Sequence, residues 1–149
     1  MWHFPSRSQF LREASRVLRQ DATLVVVDIL IVNDAVKTIG WSREEMLRTL
    51  RGGFAPWPEP GTTVEDIVAL AGVAGLECGA VIDATNETKP TYADHGDSTA
   101  RPGAAAFSET AAVRLFVEMH QQNLLKVVYL QFRKTGRPIA VAVRTDHER

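Results

Sequence analysis

The nine-residue run Leu24 to Val32 is apolar except for Asp28, and most of it is β-branched. A strand exposed on one side alternates apolar and polar residues, whereas one covered on both faces does not. Thr23-Leu24-Val25-Val26-Val27-Asp28-Ile29-Leu30 is therefore expected to be a strand sandwiched between layers. A helical pattern precedes it. Ser6 with Gln9 reads as a capping box, and Phe10, Leu11, Ala14, Val17 and Leu18 recur at helical spacing, with the arginines placed on the opposite face. A helix followed by a two-faced strand is an α/β unit.

The remainder has room for one such domain. The chain has 149 residues, with 17 Lys plus Arg against 18 Asp plus Glu. That balance lacks the basic footprint of non-specific nucleic-acid binding. No apolar run reaches the length of a membrane span. The single cysteine, Cys78, forms no internal disulfide framework and points to a reducing compartment, so a soluble cytoplasmic domain is expected. The Arg- and Ser-rich first twenty residues read as helix-to-strand grammar and not as a presequence.

Further along, Ser42 and Glu45 form a second capping box, with Trp41 and Met46 as a hydrophobic staple. That helix is expected to stop at Gly52-Gly53. The proline-rich Phe54 to Gly61 segment fits neither a helix nor a central strand. Thr62, with Glu65 three residues on, opens a third helix that runs to Gly75, and Leu76 to Ala84 reads as a strand weakened by Gly79. Residues 85–107 are polar and turn-rich, which marks a functional or mobile loop. A last helix from about Glu109 buries Val113, Phe116, Val117 and His120, and Val127 to Arg133 forms the third strand. Residues 135–149 are a tail or an extra strand.

His3-Phe4-Pro5, then Phe10-Leu11-x-Glu13-Ala14-x-Arg16-Val17-Leu18, then Leu24-Val25-Val26-Val27-Asp28 resembles the class I S-adenosylmethionine-dependent methyltransferases, especially those of small-molecule O- and N-acceptors. Ala71-Gly72-x-Ala74-Gly75-Leu76 is similar to that family's turn into its sixth strand, and Val128 to Lys134 to its seventh. The likeness runs over residues 2–134. It implies an α/β fold, the C-terminal half of a Rossmann-like sheet, with the Thr23 strand as the parallel-type fifth and the Leu76 and Val127 strands as an antiparallel pair. Two departures stand out. Gln20-Asp21-Ala22 replaces the family's Pro-Gly-Gly, putting Asp or Ala in a left-handed turn. No strand followed by a G-x-G turn occurs anywhere, so the cofactor-binding front half is not in this sequence.

The resemblance implies methyl transfer from S-adenosylmethionine to a small organic acceptor, with His3 and Asp28 as the catalytic candidates that activate it. Trp57 and Tyr92 are candidates for the substrate-pocket wall, and no metal site is expected: Asp94-His95-x-Asp97 has ligand types whose adjacency opposes convergence. A strand edge left bare by the absent half implies a homodimer or an upstream complementing segment. The competing reading is a non-catalytic interaction module that dimerises through the exposed strand and helix faces.

Overall fold

The computed structural model describes residues 1, 3–33, 35–54, 61–96 and 111–135. Helix α1 (Arg7–Val17) leads into strand β1 (Thr23–Ile31), followed by α2 (Ala35–Ile39), α3 (Arg43–Phe54) and α4 (Val64–Val73). Strand β2 (Leu76–Asp83), helix α5 (Thr85–Gly96), helix α6 (Ala111–Gln121) and strand β3 (Leu125–Lys134) complete the order. The sheet order is β1-β3-β2, with the last of these three strands lying antiparallel between the other two. The Leu76 and Val127 strands thus form the expected antiparallel pair, and β1 joins its far side.

Register sorts the side chains into two layers. Val26 and Leu30 of β1 share a face with Val128, Leu130 and Phe132 of β3, and Leu11 of α1 packs there with Ile67 and Ala71 of α4. Ile29 and Ile31 lie on the opposite face with Leu125 and Val127, under Met46, Leu47 and Leu50 of α3 and Leu115, Phe116 and Met119 of α6. This second cover protects only one end of its face. Val25 and Val27, with Tyr129 and Ile82 beside them in register, stay exposed.

Caps and turns explain most element boundaries. Ser6 Oγ accepts the Gln9 N–H at 3.2 Å, and Lys134 Nζ donates to the Ser15 and Leu18 carbonyls at 2.6 and 2.8 Å, a cation at the carboxyl end of α1. Asp21 takes the left-handed turn position with φ 60°. Ser42 and Glu45 form the expected box, Ser42 Oγ accepting the Glu45 N–H at 3.2 Å and Glu45 Oε2 accepting the Ser42 N–H at 3.1 Å. In β2 the register slips between Cys78 and Ala80, so Gly79 marks a bulge.

Several expectations need correction. Arg7 lies on the buried face of α1 with Leu11 and Ser15, whereas Val17 is 66% exposed, because the inward stripe runs 7-11-15. Helix α3 continues through Gly52-Gly53 to Phe54; its packed stripe outweighs the modest propensity penalty of two glycines. The α4 cap is Thr63 with Asp66, one residue later than Thr62 with Glu65, which turns Ile67 and Ala71 inward. The first half of the supposed 85–107 loop is helix α5, despite Pro90 in its interior. Trp41 sits at the surface, 36% exposed, at the start of α3. The polar stretch beyond Gly96 and the tail 136–149 lie outside the described residues.

Gly75 links α4 to β2 with φ 76° and is itself buried. A Cβ there meets the following carbonyl, so Gly75→Ala should lower unfolding free energy by about 1–2 kcal/mol. Urea denaturation should show a lower midpoint at an unchanged slope.

Candidate functional site

The chemistry-bearing groups gather at the carboxyl end of β1. Asp28 is fully buried there, opposite Val128. Arg7, on the first turn of α1, donates from Nε to Asp28 Oδ2 at 2.6 Å and from Nη2 to the Ile29 carbonyl at 3.3 Å. The second carboxylate oxygen, Oδ1, accepts the Ile29 N–H at 3.0 Å. Both oxygens of Asp28 are therefore engaged, and the buried charge is matched by a guanidinium that is itself nearly buried. The pair holds the start of α1 against the strand.

Beyond Asp28 the strand opens into a cavity of about 260 Å³, lined by Leu30 to Asn33, Gly61 to Glu65 and Lys126. Gly61 closes one wall by donating its N–H to the Ile31 carbonyl at 3.0 Å. Its φ of 88° and its close approach to the Asn33 carboxamide leave no space for a Cβ. The amino end of α4 points into this region, where the N–H groups of Thr63 and Asp66 are taken up by each other's side chains and Glu65 adds negative charge.

His3 lies in the exposed turn before α1, four residues ahead of the Arg7 that holds Asp28. Trp57 lies outside the described residues. Tyr92 falls within the span of α5, its side chain outside the described residues. Arg7, Asn33, Gly61 and Lys126 were not singled out from sequence. For Arg7 a signal existed: it starts the four-residue series Arg7-Leu11-Ser15 and faces an acid in an apolar strand. No group of three or more His, Cys, Asp or Glu side chains converges among the described residues. None of the described helices is long and apolar enough to cross a membrane.

A second polar cluster joins α5 to α6. Thr85 Oγ1 donates to Asp83 Oδ1 at 2.5 Å and accepts the Val127 N–H at 3.1 Å, ending the β2–β3 ladder. The Thr85 hydroxyl, with the Thr85 N–H donating to the same oxygen at 3.0 Å, holds the Asp83 carboxyl below its ordinary pKa. His120, only 1% exposed, meets Thr88 Oγ1 at 3.0 Å and packs edge-on to Phe116. Burial pushes the His120 imidazole below its ordinary value of 6.5.

Two measurements follow from this geometry. Arg7→Met leaves Asp28 buried without its counter-charge and should cost about 3–5 kcal/mol, while Arg7→Met with Asp28→Leu should recover most of that loss. Equal destabilisation in the single and double variants, read by urea denaturation, would show that the pair is not coupled. For His120, the unfolded chain binds a proton near pH 6.5 and the folded chain resists it. The stability this group contributes is complete above that pH and is lost as pH falls through the lowered folded value. Melting temperature should drop as pH falls from 6.5, and His120→Gln should flatten that slope.

No family model matches the sequence, and no curated protein does. Solved structures do. A geranyl diphosphate methyltransferase in complex with SAM aligns with a TM-score of 0.63 at 16% identity, over 89% of this chain and 47% of that one. The geranyl diphosphate C-methyltransferase of Streptomyces coelicolor A3(2), crystallised with S-adenosyl-L-homocysteine, gives 0.63 at 13% identity over 89% and 44%. The cyclopropane synthase MmaA2 of Mycobacterium tuberculosis gives 0.60 at 13% identity over 86% and 50%. The chain spans about half the length of the structures it matches. Its fold is that of the carboxyl-terminal part of an S-adenosylmethionine-dependent methyltransferase.

Proposed function

We propose that this chain is the acceptor-side half of a methyltransferase that moves a methyl group from S-adenosylmethionine to a small organic molecule. The supporting observation is the three-stranded sheet with a reversed central strand, which aligns over most of its length with half of enzymes crystallised with SAM or its product. The residues present do not make the cofactor's cradle by themselves. The sequence has no Gly-rich turn between a strand and the helix it opens, and Gly75 ends a helix instead of starting one. The cofactor is therefore assigned to a complementing segment, and this chain's contribution is to bind and orient the acceptor.

In that division of labour, the cavity at the end of β1 receives the acceptor, and Trp57 and Tyr92 are kept as wall candidates on residue type alone. His3 is the proton acceptor of the proposed pair, because its turn is exposed where the Asp28 carboxylate is not. Asp28 acts through Arg7, fixing the helix whose leading turn carries His3. Most of the rate then comes from alignment, with the base adding about 10²–10⁴-fold. A second reading, a non-catalytic interaction module, is favoured by the exposed Val25, Val27, Ile82 and Tyr129.

Calorimetric titration of the folded chain with S-adenosylhomocysteine tests the assignment. No saturable heat is expected, and micromolar binding would overturn the placement of the cofactor site on another segment. Coding sequence upstream of Met1 should specify a strand–G-x-G–helix pattern. Its absence would favour the interaction module.

A further inference from the structure

The cavity beyond Asp28 carries two opposite charges that do not meet. Lys126 stands opposite Leu30 in register and lines the cavity from β3, while Glu65 lines it from the first turn of α4. Both side chains are exposed, and neither enters an ion pair among the described residues. Asp83 feels the charge of Lys126, but its Oδ1 is held by the Thr85 hydroxyl and N–H. Among the described lining residues, Lys126 is the one cation and Glu65 the one acid.

A neutral polar group stands at the third corner. Asn33 follows the end of β1, and a side chain at Gly61 would overlap its Oδ1, so the glycine is what lets the carboxamide lie along this wall. That carboxamide takes part in no hydrogen bond among the described residues, and it can both donate and accept. At about 260 Å³ the cavity falls below the roughly 300–1,000 Å³ of drug-sized ligand sites, so its occupant is small. A lone anion held by Lys126 meets Glu65, and a lone cation held by Glu65 meets Lys126. Each gains one attraction and suffers one repulsion. A molecule bearing both charges gains two attractions, and the same two groups reject its singly charged analogues.

We propose that the acceptor taken by this cavity is a small zwitterion of the amino-acid class, its carboxylate on Lys126, its ammonium on Glu65 and a hydroxyl or similar X–H group on the Asn33 carboxamide. The inference rests on the acceptor-side reading above and adds the substrate class. A carboxylate beside the ammonium favours its charged form, so that nitrogen keeps its proton and no free lone pair. The group offered for methylation is therefore the one at Asn33. A neutral carboxamide suits that place, because it accepts the X–H bond without protonating the atom that must stay a nucleophile.

The test follows the Gly61 and Val64 backbone amides by NMR while the full chain is titrated with three probes. These are L-serine, ethanolamine, which lacks the carboxylate, and 3-hydroxypropanoate, which lacks the ammonium. L-serine should bind at least about tenfold more tightly than either analogue. Lys126→Met should erase its advantage over ethanolamine and keep its advantage over 3-hydroxypropanoate, and Glu65→Gln should do the reverse. Both substitutions change exposed side chains, and an unchanged urea midpoint confirms that each variant is folded. Equal binding of L-serine and either analogue to the unaltered chain overturns the proposal. So does the absence of a saturable shift with L-serine, or a pair of variants that weaken all three probes alike. None of these titrations contains the cofactor. A failed S-adenosylhomocysteine prediction therefore leaves the zwitterion site standing, and a failed L-serine titration leaves the half-domain reading standing.

Discussion

The pairing of Arg7 with Asp28 is the contact around which the first third of the chain is organised. A fully buried carboxylate is tolerated only with its charge matched and its lone pairs used, and both conditions are met by groups within the same α/β unit. The guanidinium also satisfies a backbone carbonyl that a neighbouring strand would otherwise take. One ion pair thus anchors α1 to β1, spares the strand a bare edge at Ile29, and places the turn bearing His3. Replacing Asp28 by a leucine alone would strand the arginine in the same way that losing the arginine strands the acid. This mutual dependence makes the pair a positional device more than a source of net stability.

The layered packing is asymmetric. One face of the sheet is covered along its length by α1 and α4, while the other is covered only where α3 and α6 reach it. Their junction with α5 is tied by hydroxyls, Thr85 to Asp83 and Thr88 to His120, not by apolar contact alone.

Sequence carried the architecture well where local chemistry and tertiary demand agree. The Ser42–Glu45 box, the Asp21 turn and the buried His120 were legible because each follows from residue type at short spacing, whereas the strand expected to be covered on both faces is so covered only beyond Val27, with Val25 and Val27 exposed. Errors arose where packing overrode a local rule. Gly52-Gly53 and Pro90 are breakers by propensity, yet the surrounding helices hold them in place. The shift of the α4 cap from Thr62 to Thr63 turned on which register buries Ile67, a fact no local box contains. At the site, Asp28 stood out as an acid among valines, but its partner did not, because an arginine near a helix start reads as solvated until the opposite wall is known.

The sheet's central strand is the last of the three in the chain, and neither β1 nor β2 touches the other. During synthesis, the ladders that β1 and β2 form among the described residues both wait for residues 125–134. The αβ unit built on Arg7 and Asp28 can form early as a local hairpin of helix against strand. Its strand must then wait for β3 while the roughly hundred intervening residues are made. A nascent chain of this topology spends most of its elongation exposing β-branched backbone, which ties its yield in the cell to translation rate and to whatever shields that strand in the interval.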